Sequence, residues 1–309
     1  MNSKSKNNIK GTLILVLTSL IWGLAFVAQS DASDLIPSFA FNSMRSFVGA
    51  AFLLVVIIVK SLKSKEKLIP EDKIEKKRML ISGTVCGVLL AVSVNFQQLG
   101  LSLYPSGTAS EARGGFLTAL YVILVPIFYA IGGKKVAFPV WIGVVIAWGG
   151  IYMLCFSGGI SGIYLGDVMI LLCAVAFTFH ILAIDNLGKN IRGIKLSFIQ
   201  FVVCGLISGI VSLFFEKVSI TEISAAVFQI LYLGIMSSGV GYTLQIIGQK
   251  YAEPAIASMA MSLESVFAAL GGWLIAGNAM SVHEIIGGLL VFSAIVIAQL
   301  PQRKKSSAT

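Results

Sequence analysis

Residues 11–29 read GTLILVLTSLIWGLAFVAQ, a run without a charge, preceded by Lys4, Lys6 and Lys10. The hydrocarbon core of a bilayer is about 30 Å thick, so a helix needs about 20 apolar residues to cross it. This stretch is therefore expected to be a membrane helix. Its basic leader is like that of a secretory signal, but the apolar run is too long for one and more runs follow, so it is read as an uncleaved first helix.

Nine further runs, bounded by charge, Pro or Gly, lie at about 37–59, 79–101, 107–131, 137–156, 166–185, 196–215, 224–248, 254–276 and 282–300. Composition points the same way. Of 309 residues, 57% are hydrophobic and 12% charged, with a mean hydropathy of +0.91. A soluble protein carries roughly 25% charged residues. A water-soluble globule of this size has too little interior for so much apolar surface, and disorder is excluded because disordered chains are polar. The expected fold class is an all-α polytopic membrane protein with ten transmembrane helices.

The net charge of +9 and pI near 9.4 raise the question of nucleic acid. The basic residues, however, sit between apolar runs. Counted loop by loop with the N-terminus inside, 20 of the 23 Lys and Arg fall on the cytoplasmic side and one, Lys217, outside. Cytoplasmic loops retain positive charge, so both termini are expected in the cytoplasm and the charge is accounted for by topology, without a nucleic-acid partner. The Lys-rich stretch between spans 2 and 3 is read as a solvated loop, with attraction to anionic lipid as the alternative. Cys86, Cys155, Cys173 and Cys204 fall inside apolar runs without metal or redox spacing, and are read as packing residues.

An internal repeat is visible. Gly11–Val27 aligns with Gly166–Leu182, setting Trp22 opposite Phe177. Gln97 and Gly100 recur as Gln245 and Gly248, Ala109-Ser110 as Ala257-Ser258, and Trp141-Ile142-Gly143 as Ile286-Gly287-Gly288. The matches suggest two halves of five spans, residues 11–156 and 166–300. Five is odd, so the second half must enter the membrane inverted, the arrangement that underlies alternating access about a site at the repeat interface.

In its ordered motifs the chain resembles the ten-helix EamA-type transporters of the drug/metabolite transporter superfamily. The likeness rests on Ser19-Leu20-Ile21-Trp22-Gly23, Pro37 with Arg45, Gly114-Gly115-Phe116-Leu117-Thr118-Ala119-Leu120-Tyr121 with Pro126, Gly166-Asp167, Leu263-Glu264-Ser265-Val266-Phe267 and Gly287-Gly288. It implies secondary transport of small metabolites, often export of amino acids or related compounds in bacteria, without a bound cofactor, and hence a multi-pass protein of the bacterial inner membrane. Two departures are notable. The family commonly has Pro after the span 9 Glu, where this chain has Ser265, which is expected to leave span 9 straighter. It also has an acidic residue ending that span, where this chain has Asn278.

Ionisable groups within a bilayer are costly and mark function by default. Arg45 is read as an ion-pair partner or an anion-binding group, since a guanidinium fork suits both. Glu111 and Arg113 are two residues apart and point about 200° apart on a helix. Arg113 is assigned to the cavity, with Glu111 at the external surface. His180 and Glu264 are the candidates for proton exchange or substrate binding, and Glu264 is the deepest carboxylate. Trp22, Asn95, Gln98, Tyr242 and Gln245 complete the candidate binding set, with Gln97 and Gln200 as further amides at membrane depth; for all of them the alternative is bonding between helices. Gly83 with Gly87, and Gly205 with Gly209, are read as helix-packing pairs.

No phosphate loop, metal cluster or nucleophile motif is present, so no catalytic residue, cofactor or metal is expected. The expected partners are a small-molecule substrate, the lipid bilayer and a proton as candidate coupling ion; a facilitator running down a substrate gradient is the equal alternative. The rival readings are a lipid-handling membrane protein and a non-transporting scaffold or sensor.

Overall fold

The computed structural model describes residues 3–64, 70–105, 110–155, 164–189, 191–276 and 282–298. Every regular element among them is helical. In chain order these are α1 (Ser3–Ser33), α2 (Ser38–Ser64), α3 (Lys73–Ser102), α4 (Ser110–Ala119), α5 (Tyr121–Ile131), α6 (Phe138–Cys155), α7 (Leu165–Leu187), α8 (Gly193–Phe215), α9 (Ile220–Ala225) and α10 (Val227–Tyr232). A π-helix (Leu233–Gly241) follows, then α11 (Tyr242–Gln249), α12 (Pro254–Met261), α13 (Glu264–Ala276) and α14 (Val282–Ala298).

Eight stretches among the described residues are long and apolar enough to cross a membrane, from Asn8–Ser33 to Pro254–Leu274. Two more, Phe138–Met153 and Ile285–Ala298, are apolar but shorter. The ten expected runs thus appear as eight full-length spans and two short apolar helices. Long apolar side chains face outward, among them Leu13, Val55, Leu213 and Phe215, the polarity of a surface solvated by lipid rather than water.

Local chemistry sets the helix ends. Asp72 caps α3 by accepting from the Glu75 N–H at 3.1 Å, and Pro254 opens α12, where its missing N–H costs nothing. Helix α2 is capped from a distance. The Glu216 carboxylate, just past α8, accepts from the N–H groups of Phe39 and Ala40 at 2.9 and 2.8 Å, satisfying donors that the first turn leaves open.

Three of the expected spans are not continuous α-helices. The fourth divides at Leu120, between α4 and α5. The eighth passes through the π-helix, whose sequence LGIMSSGVG is rich in weak helix formers. The ninth breaks at Ser262–Leu263. The expectation that Ser265 leaves span 9 straighter is therefore corrected: the helix breaks two residues before Ser265, without a Pro, and serines flank the break. Ser258 and Ser262 bond back to the carbonyls of Ala255 and Met259, and Ser265 Oγ donates to Gly115 O on α4. Such side-chain bonds compete with the helical ladder. Asn278 lies outside the described residues.

Helix α1 packs on α11, α12 and α13, and α7 packs on α3, α4 and α5; α2 and α3 both lie against α8, and α6 against α14. Two of these contacts are alike in detail. A methyl added at Gly100 on α3 would lie 2.7 Å from Ile170 and 3.0 Å from Gly166 O on α7. One added at Gly248 on α11 would lie 2.7 Å from Leu15 and 3.2 Å from Gly11 O on α1. Cys86, Cys173 and Cys204 are buried free thiols, and Cys155 lies outside the described side chains.

Candidate functional site

The chain converges on a central cavity, and the interruptions in its helices deliver much of the lining. Tyr121 is the first residue of α5, Ser237 lies in the π-helix, Tyr242 opens α11, Met261 ends α12 and Glu264 opens α13; all five line the cavity. Non-helical backbone at membrane depth is tolerated where it borders such a space, and π-helical segments often occur at functional sites. Trp22, Phe26 and Gln29 of α1, Phe177 and Ile181 of α7, Arg45 of α2 and Gln97 of α3 complete the wall, with Gln245 and Thr118.

Two charged groups occupy it. Arg45, 3% exposed, donates from Nη1 to Gln29 Oε1 at 3.0 Å and lies over the Phe41 ring at 5.5 Å. Among the described residues its guanidinium meets an amide oxygen and no carboxylate. Glu264, also 3% exposed, accepts from the Tyr121 hydroxyl at 2.9 Å. Its place in the first turn of α13 sets the negative charge at the positive end of that helix.

Polar capacity is left over beside them. Trp22 Nε1 and Gln245 Oε1 are buried and make no hydrogen bond. A donor and an acceptor buried without partners are costly, and in a native structure they call for an explanation. Trp22 packs against Tyr242 with ring centroids 4.6 Å apart, so one wall of the cavity is aromatic. The free space at the centre is about 20 Å³, room for one water molecule. The site is closed in this conformation.

Of the residues singled out in the sequence, Trp22, Arg45, Gln97, Tyr242, Gln245 and Glu264 come together here. Three do not reach the cavity. Asn95 accepts from Asn42 and donates to Ser208, at 2.9 and 2.8 Å, tying α2, α3 and α8. Gln98 donates to Gln29 O at 3.0 Å, behind the Arg45 contact. His180 stands behind Tyr242, 6.1 Å ring to ring, with Nε2 at 3.2 Å from Gln200 Oε1. Glu111 and Arg113 lie outside the described side chains. Gln29, Tyr121, Thr118 and Ser237 line the cavity without having been singled out. Gln29 carried a signal, an amide ending an apolar run, but that position reads equally as a span boundary.

Outside the bilayer, Glu222 accepts from the backbone and hydroxyl of Ser219, which holds its carboxyl below the ordinary value.

The sequence profile of the EamA-like transporter family matches this chain twice, over residues 9–156 and 164–299. A protein of Archaeoglobus fulgidus named as an uncharacterized transporter is 28% identical over 93% of this chain and 84% of its own length. The uncharacterized transporter YoaV of Bacillus subtilis is 22% identical over 93% of this chain and 96% of its own. The uncharacterized inner membrane transporter YedA of Escherichia coli K12 is 23% identical over 90% and 87%. A solved crystal structure superposes with a TM-score of 0.74 over 94% of this chain and 98% of its own, at 18% identity, which speaks to the fold alone.

Proposed function

The chain belongs to the EamA-like transporter family, and from that premise we propose that it carries a small zwitterionic metabolite, amino acids foremost, across the bacterial inner membrane by alternating access. One observation carries the substrate reading. A cation, Arg45, and an anion, Glu264, line one aromatic-walled cavity together with an unused donor on Trp22 and an unused acceptor on Gln245. A ligand bearing both a carboxylate and an ammonium meets all four; a simple cation or anion leaves one charge opposed.

The carrier works as two inverted halves, residues 11–156 and 166–300, with ten crossings, α6 and α14 being the shorter ones, and both ends in the cytoplasm. The paired match of the family profile supports this, and so do matched contacts. Gly100 against Gly166 and Ile170 repeats as Gly248 against Gly11 and Leu15. A methyl at Gly87 would lie 2.7 Å from Val203 and 2.9 Å from Gln200 O; one at Gly234 would lie 2.6 Å from Val48 and 2.9 Å from Arg45 O. The pairs also locate an insertion. Gly100 follows Gly87 by thirteen residues, whereas Gly248 follows Gly234 by fourteen, and the extra residue falls where the π-helix lies. Beside Gln245 the second half thereby sets Ser237 and Tyr242 on the cavity, where α3 of the first half contributes Gln97, the counterpart of Gln245.

In transport, separation of the halves on one face admits substrate, whose ammonium meets Glu264 and whose carboxylate meets Arg45. Exchange of roles between the halves then opens the other face. Export is the direction in keeping with the family resemblance, and Glu264 is the group at which a proton would compete with an ammonium. The test is counterflow in proteoliposomes loaded with an amino-acid pool. Uptake of at least one labelled member, lost in Glu264→Gln, is expected; a folded protein that exchanges none would overturn the substrate class.

A further inference from the structure

Two grooves open on the lipid-facing surface along the α2–α8 seam. One, of about 290 Å³, is walled by Leu54, Ile57, Met79, Leu80, Phe198 and Ile199, with Lys76 and Lys195 in its lining. The other, of about 420 Å³, is lined by Ala40, Ser43, Met44, Gly209, Ser212 and Ile223 among others.

On the repeat reading these are the same groove seen twice, once at each face of the membrane. Lys195 stands five residues before Gln200 and Ala40 five before Arg45, the two residues whose carbonyls take the matched glycine contacts. Lys76 stands eleven before Gly87 and Ile223 eleven before Gly234. Phe198 likewise matches Ser43, and Ile199 matches Met44. The fold therefore builds a groove at either face but needs no cation in it, since Ala40 and Ile223 occupy the two lysine positions in the second copy. The lysines are an addition to one copy, on the face that carries most of the basic residues.

We propose that the groove between α2, α3 and α8 binds an anionic phospholipid, one acyl chain lying along Leu54, Met79, Leu80 and Phe198 and the phosphate held by Lys76 and Lys195. The walls are aliphatic and aromatic, and the two lysines, from two different helices, line the same groove. Arg192, three residues before Lys195, adds like charge at that level. Basic clefts between membrane helices are suited to such headgroups. The occupied seam is also the one between helices of the two halves, so the lipid would brace α2, α3 and α8 while the rest of each half moves.

The test is lipid retention by native mass spectrometry on the full chain, offered phosphatidylglycerol or phosphatidylcholine. Wild type is expected to keep phosphatidylglycerol in preference. Lys76→Gln with Lys195→Gln should reduce retention at least five-fold, whereas Lys73→Gln with Lys77→Gln, an equal loss of charge on the first turns of α3, should leave it unchanged. Leu54→Trp, which fills the groove and keeps both lysines, should also release the lipid. Equal retention of the two lipids, or equal loss in the two double variants, overturns the proposal. Retention is read without transport, so its failure is distinct from failure of the carrier reading.

Discussion

The Tyr121 hydroxyl donates to Glu264 Oε1 at 2.9 Å, a bond between the first residue of α5 and the first residue of α13. Both stand immediately after a break in a membrane helix, and each comes from a different half of the chain. On the carrier reading proposed above, the contact bridges the seam that parts when the cavity opens. A hydrogen bond to a charged group contributes roughly 1.5–3 kcal/mol. Tyr121→Phe is expected to slow substrate counterflow about tenfold or more while the protein stays monodisperse; an unchanged rate would remove this bond from the transport cycle.

The amides divide into two kinds. Asn95 is satisfied by Asn42 and Ser208, so Asn95→Ala should lower the thermal midpoint in detergent, at a cost of about 1 kcal/mol, and leave substrate affinity as it was. Gln245 lines the cavity and its Oε1 has no partner, so Gln245→Ala should weaken affinity by about tenfold with little effect on melting. Binding titrations and melting curves on both variants decide the matter, and the reverse pattern would refute the division.

Deleting Met236, which is 39% exposed, removes one residue from the π-helix and restores the thirteen-residue spacing of the first half. The deletion should keep the close contact of Gly234 with α2, turn Ser237 away from the cavity and abolish counterflow. Retained counterflow would mean that the π-helix is incidental to the site.

Glu216→Ala strips two charge-assisted bonds from the start of α2. The first-turn N–H groups of Phe39 and Ala40 then lose their partner, at a cost of about 1–3 kcal/mol, read as a lower thermal midpoint. Glu216→Gln, with one acceptor left, should fall between. Equal midpoints in all three proteins would show that water replaces the cap.

The helical class and most helix positions were legible because an apolar run of bilayer length has few other readings. Arg45 and Glu264 were legible for a related reason, since a charge inside such a run is costly unless used. The face on which a polar residue lies was not legible. Helices apolar all round carry little directional pattern, so Asn95, Gln98 and His180 looked no different from Gln245 until their partners on neighbouring helices were placed. Tyr121 and Ser237 were hidden for another reason. Both reach the cavity through breaks, at Leu120 and in the π-helix, that no Pro marks: Pro126 lies inside α5, five residues beyond Tyr121. The π-helix also blurred the repeat, because one inserted residue puts Gly87–Gly234 and Gly100–Gly248 in different registers.

The central claim, that one site is reached in turn from both faces of the membrane, is tested most directly at Ser237, which lines the closed cavity. In a background with Cys86, Cys155, Cys173 and Cys204 replaced by Ala, Ser237→Cys would be exposed in oriented vesicles to a membrane-impermeant thiol reagent, added to one side at a time. Labelling from either side, slowed by transported substrate, is the result expected of alternating access. Labelling from one side only, in a protein that still performs counterflow, would contradict it.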